Sequence, residues 1–216
     1  MKIFAVILSG CGVFDGAEIH EAVLTLLAID KAGAAYQCFA PDVVQHHVVN
    51  HITGKEMPEK RNVLTESARI ARGNCKPLSA FNEADFDALI FPGGFGAAKN
   101  LCDWALRGDL CTVNPGVESA IISMSAAGKP IGAMCIAPVV LASVFKGTTL
   151  TTGNDPASKK FIEKMGNHYA VTAHGAVVAD RERKLFTTPC YMLDATISQI
   201  AEGTENIVRE MMAAMD

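Results

Sequence analysis

The seven cysteines of this chain are an odd number, and no two of them form a C-x-x-C unit or a zinc-ribbon spacing. A disulfide framework and a structural zinc site are therefore not expected, and a reducing compartment is the simpler assumption. Long apolar runs are also missing. The longest, around residues 131–144, is interrupted or flanked by lysine, proline, glycine and serine and falls short of the roughly 20 apolar residues that span a bilayer. The opening run Ile3–Leu8 is too short for a signal-peptide core, and no small-residue cleavage site follows before Asp15. A cytoplasmic protein without membrane association is predicted. The net charge is −4 and basic clusters are absent, so nucleic acid is not an expected partner. There is no internal repeat, low-complexity tract or linker, which predicts one domain over residues 1–216.

What the chain does contain is a hydrophobic fraction of 50%, enough for a sizeable core, arranged as alternating β and α patterns. Strands are predicted at Ile3–Leu8, Tyr36–Phe39, Ala88–Phe91 and Pro130–Met134. Helices are predicted at Ala17–Ala32, Val63–Arg72, Val117–Ala127, Ile136–Phe145, Ala157–Met165 and Met192–Met212. Gly33, Gly73, Gly128 and Gly166 stand where C-capping glycines belong. The alternation predicts an α/β fold with a mostly parallel sheet between helical layers. Ligands of such sheets bind beyond the carboxyl ends of the strands, which directs attention to the loops there.

Three segments stand out. Gly132-Ala133-Met134-Cys135-Ile136-Ala137-Pro138 places small residues two before and two after Cys135, the spacing of a strand-to-helix nucleophile elbow. A thiol so placed would sit over the first amides of the next helix, which predicts a lowered pKa. The same residue also reads as a small buried thiol. Pro92-Gly93-Gly94 can turn backbone N–H groups inward as an oxyanion site, or be a plain turn. In Asp15-Gly16-Ala17-Glu18-Ile19-His20-Glu21, the i, i+3 pair Asp15/Glu18 predicts a capping box. Glu21 lies one turn further on an otherwise apolar helix. It is either a solvated carboxylate or one with a raised pKa suited to acid/base work.

These residues resemble the ThiJ/PfpI superfamily of class I glutamine amidotransferase-like proteins, and within it the ElbB-like glyoxalase branch. The resemblance runs through residues 7–13, 18–24, 91–101 and 134–138. It implies a flavodoxin-like three-layer α/β/α sandwich, usually a homodimer, with Cys135 as nucleophile, Glu21 as general acid/base and the amides of Gly94 and Ile136 as oxyanion donors. The implied activity is a lyase-type glyoxalase reaction that converts 2-oxoaldehydes such as methylglyoxal to 2-hydroxy acids without glutathione, metal or other cofactor. A link to isoprenoid biosynthesis is implied by name alone. Two departures from related patterns matter. Ile136 stands where many members have a histidine, and no late His-x-Glu unit exists, so a Cys-His hydrolase is not expected and neither His174 nor His168 is read as catalytic. The competing expectation is an oxidation sensor or holdase that uses Cys135 as a redox switch.

Gly93, Cys11, His20, Glu18 and Cys190 are further pocket-lining candidates, and Cys11 and Cys190 also read as packing residues or as thiols able to resolve an oxidised Cys135. His47 and His51 have the i, i+4 spacing of one helical face, with His46 beside them, but no third ligand is evident and a metal site is not predicted.

Overall fold

The computed structural model describes residues 1–215. In chain order the elements are β1 (Ile3–Ile7), α1 (Ile19–Lys31), β2 (Ala35–Ala40), β3 (Val49–Asn50), β4 (Lys55–Glu56), α2 (Val63–Ile70), β5 (Cys75–Pro77), β6 (Ala88–Phe91), α3 (Trp104–Arg107) and α4 (Pro115–Ala126). They continue with β7 (Ile131–Met134), α5 (Pro138–Val144), β8 (Thr149–Leu150), α6 (Pro156–Lys164), β9 (His168–Tyr169), β10 (Val178–Asp180), β11 (Leu185–Thr188) and α7 (Ile197–Ala213).

Seven strands make one sheet in the order β10-β11-β7-β6-β1-β2-β5. All its pairings are parallel except β10 with β11. The central strands β6, β7 and β11 bury every residue, which is why their sequences read as continuous apolar or threonine runs without alternation. Helices cover the sheet, with α1 packed on α2 and α7, and α4 on α5. Phe4, Phe39, Phe91 and Phe186 are fully enclosed, each contributing about 1.5–3 kcal/mol by leaving water. The result is the expected flavodoxin-like sandwich. No helix among the described residues is long and apolar enough to cross a membrane.

The helix ends obey local chemistry. Gly33, Gly73, Gly128 and Gly166 all have positive φ, as predicted for C-cap glycines. The boundaries shift where a stronger cap exists. The helix predicted from Ile136 starts at Pro138, a residue favoured in the first turn. The one predicted from Met192 starts at Ile197 behind a Thr196/Gln199 capping box. The predicted Asp15/Glu18 box does not form. The chain turns through residues 11–16, so Glu18 is itself the N-cap and accepts the Glu21 N–H at 2.7 Å, while Asp15 accepts from Val49 N at 2.7 Å. The strand-like stretch 168–178 contributes only β9 and the first residue of β10, with loop between. The buried strand β11 was not among the four predicted.

Candidate active site

β1, β6, β7 and β11 are neighbours running the same way, so the loops after them meet at one sheet edge. Cys135 immediately follows β7 with φ +58°, a left-handed conformation that a non-glycine residue rarely takes. Its N–H continues the ladder by donating to Thr188 O at 3.0 Å. The geometry is that of the predicted elbow: the chain reverses sharply and carries the thiol above the sheet edge.

Glu21 comes to the same place from the first turn of α1. It is 0% exposed, and its carboxyl group is fixed from two sides. Gly93 N–H donates to Oε2 at 3.0 Å and Tyr191 N–H to Oε1 at 3.1 Å. A Cβ on Gly93 would lie 2.3 Å from Cys135 Cβ, 2.5 Å from Glu21 Oε2 and 2.9 Å from Cys135 Sγ. Only glycine fits between acid and thiol, and its absent side chain lets the two groups approach each other. Gly94, with φ +94°, and Ile136 direct their N–H groups at the same sulfur. The two predicted oxyanion donors therefore converge on Cys135.

Burial governs the electrostatics. It pushes the Glu21 carboxyl up to about 8 against the opposing pull of the Tyr191 and Gly93 N–H groups, with the nearby Glu18 charge adding to the rise. It also pushes the Cys135 thiol well above its ordinary value, and the charge of Glu21 reinforces this. The lowered thiol predicted from the elbow is thus corrected. Cys135 is only 6% exposed, α5 starts three residues later at Pro138, and the Gly94 and Ile136 amides offset only part of the desolvation.

Beside the thiol opens a cavity of about 400 Å³. Cys135, Ile136 and Gly94 form one wall, and Val13, Phe95, Trp104, Ala157 and Met192 make the remainder apolar, with Tyr191 and Asp155 as the polar exceptions. Of the further pocket candidates, Gly93, Glu18, His20, Cys11 and Cys190 do not line it. Gly93 lies beneath, between Glu21 and Cys135. Glu18 is spent on capping α1. His20 is at the exposed rim, its Nδ1 2.8 Å from Tyr191 Oη. Cys11 sits away from the thiol near Glu66 and Arg69, and burial raises its pKa. Cys190 is buried where it feels the charges of Glu21 and Cys135, too enclosed to face a ligand. His47 and His51 share no helical face, because residues 47–51 run as coil and strand into the turn after β3. His51 Nε2 instead accepts the Phe14 N–H at 3.2 Å.

Trp104, Asp155, Tyr191 and Met192 were not found from sequence. Asp155 carried one usable signal, the Asp-Pro start of α6, where it accepts the Ser158 N–H at 2.7 Å. Trp104 opens the four-residue α3, and Tyr191 and Met192 lie in a single 3-10 turn after β11, each too short to show a periodic pattern.

No family model matches the chain. It is 43% identical to the human "Glutamine amidotransferase-like class 1 domain-containing protein 3, mitochondrial", with 96% of this chain and 81% of that protein aligned. Among solved structures it is similar to an isoprenoid biosynthesis protein with an amidotransferase-like domain from Ehrlichia chaffeensis, at 34% identity and TM-score 0.91 over 98% of this chain and 99% of that one. Glyoxalase III of Candida albicans shares the fold at 15% identity and TM-score 0.67, over 100% and 98% of the two chains. The near-full-length identity to the human protein, together with this sheet and elbow, shows that the chain belongs to the class I glutamine amidotransferase-like family, with a fold of the ThiJ/PfpI type.

Proposed function

We propose that the protein is a cofactor-free glyoxalase acting on 2-oxoaldehydes through Cys135 and Glu21. The observation that carries this is the enclosure of one thiol, one carboxyl and two inward N–H groups around a single point at an apolar cavity. In the proposed route ionised Glu21 takes the Cys135 proton as the sulfur bonds to the aldehyde carbon. The resulting oxyanion meets the Gly94 and Ile136 N–H groups and recovers the proton from Glu21. Glu21 then removes the hydrogen from the former aldehyde carbon, and the enediol is reprotonated on the adjacent carbon. This gives a thioester of the 2-hydroxy acid, and water releases the acid and restores the thiol. Hydrogens and electrons balance within the substrate, so the route calls for no external oxidant or reductant.

The sensor reading has less support. Ready oxidation calls for an accessible thiolate, and Cys135 is buried with its thiol held in the protonated form. We also infer a homodimer built on the apolar stripe Ile19, Val23 and Leu27, three exposed residues one turn apart on α1. Seven free thiols suit a reducing compartment such as the cytoplasm.

The test is lactate formation from methylglyoxal by the purified protein. Cys135→Ala abolishes it, and Glu21→Gln lowers it by ~100-fold or more. Unchanged lactate production in either variant overturns the mechanism.

A further inference from the structure

A second thiol pair lies outside this site. The segment after Leu101 closes on itself: Asp103 N–H donates to Thr112 O at 3.1 Å and Asn114 N–H to Leu101 O at 2.8 Å, with Cys102 and Val113 facing each other as an antiparallel bridge. That closure carries Cys111, two residues before Val113, back towards Cys102, near enough for each thiol to influence the other's proton. They differ in exposure. Cys102 is buried, with the Ala97 carbonyl 3.5 Å from its sulfur. Cys111 is half-buried, with its sulfur 3.2 Å from Ser143 Oγ.

We propose that Cys111 and Cys102 form a peroxide-responsive thiol pair that closes into an intrachain disulfide, a modification site distinct from Cys135. The neighbouring Cys102 thiol and the Ser143 hydroxyl favour the Cys111 thiolate and bring its pKa down to about 7, against the opposing effect of its burial. The proximity of Cys111, together with burial, holds Cys102 protonated. The half-exposed partner is thus the nucleophile and the buried one the resolver. The chemistry balances. The Cys111 thiolate attacks a hydroperoxide oxygen; the S–O bond forms, the O–O bond breaks, and the departing oxygen takes a proton to leave as water or alcohol. The Cys102 sulfur, losing its proton, then attacks the Cys111 sulfenic acid, the S–O bond breaks, and the hydroxide leaves as water with that proton. Two thiols are oxidised by two electrons and the peroxide is reduced.

The bridge would fix the loop that supplies part of the cavity wall. Trp104 lines the cavity, its ring centroid 5.5 Å from that of Phe161, and Asp109 in the same loop pairs with Lys164 of α6 at 2.5 Å. Trp104 is the chain's one tryptophan, so the loop reports on itself. The intact protein is treated with stoichiometric hydrogen peroxide, and its thiols are alkylated and mapped by mass spectrometry. The expected result is loss of alkylation at Cys102 and Cys111, a peptide pair linked through them, and a tryptophan fluorescence change that dithiothreitol reverses. Cys102→Ser stops at a Cys111 sulfenic acid that a cyclic 1,3-dione traps, and Cys111→Ser abolishes the fluorescence response. Full alkylation of Cys102 after peroxide, or oxidation of Cys111 beyond the sulfenic acid with no link to Cys102 in the wild-type protein, overturns the proposal.

Discussion

Glu21 and Cys135 hold their protons for the same reason, removal from water, and this fixes the sign of the pH response. If Glu21 must be ionised to accept the thiol proton, kcat/KM for methylglyoxal rises with pH through about 8, the carboxyl value set by its burial. A profile flat across that range would remove Glu21 as the base. At this scale the sequence was informative in part. The residue types and spacings around Cys135, Gly93 and Glu21 could be read directly because an elbow and a close approach each demand small residues. The direction of the thiol's pKa could not. It depends on enclosure by chain segments far away, such as Tyr191, whose N–H reaches Glu21 across 170 positions.

On the scale of elements, α1 joins folding to chemistry through its first turn. Glu18 caps the helix through Glu21 N–H, and its charge pushes the Glu21 carboxyl further up. Glu18→Gln keeps an acceptor for the cap and removes the charge, so the rising limb of the pH profile moves to lower pH with little loss of stability. Glu18→Ala loses the cap as well and costs ~1 kcal/mol in denaturant midpoints. The central strands and most helices were evident from apolar runs and terminal glycines. β11 was not, because Leu185-Phe186-Thr187-Thr188 is short and mixes threonines with apolar residues, although all four are buried. That strand leads directly to Tyr191 and Met192 at the cavity, so the missing element and these two missing site residues have one cause.

For the whole molecule, a carboxyl protonated in the fold but ionised in the unfolded chain makes stability depend on pH. Its contribution is complete below the ordinary value of 4.5 and is lost as pH rises towards about 8. The slope is at most ~1.4 kcal/mol per pH unit. Glu21→Gln is less stable at acid pH, where its amide meets an N–H donor, but its stability falls less between about pH 5 and about pH 8 when followed by urea denaturation. Equal slopes in the two proteins would contradict a neutral Glu21. Assembly is tested separately: Val23→Glu places a charge in the α1 stripe, and sedimentation velocity is expected to show a monomer where the wild type is a dimer. The left-handed backbone at position 135 has one more effect, on the inactive variants themselves. Alanine ordinarily outranks glycine in stability, but at φ +58° the methyl group is strained. Cys135→Gly should therefore unfold later than Cys135→Ala, by about 1 kcal/mol, a measure of how far the residue that does the chemistry is from the residue this turn would hold most comfortably.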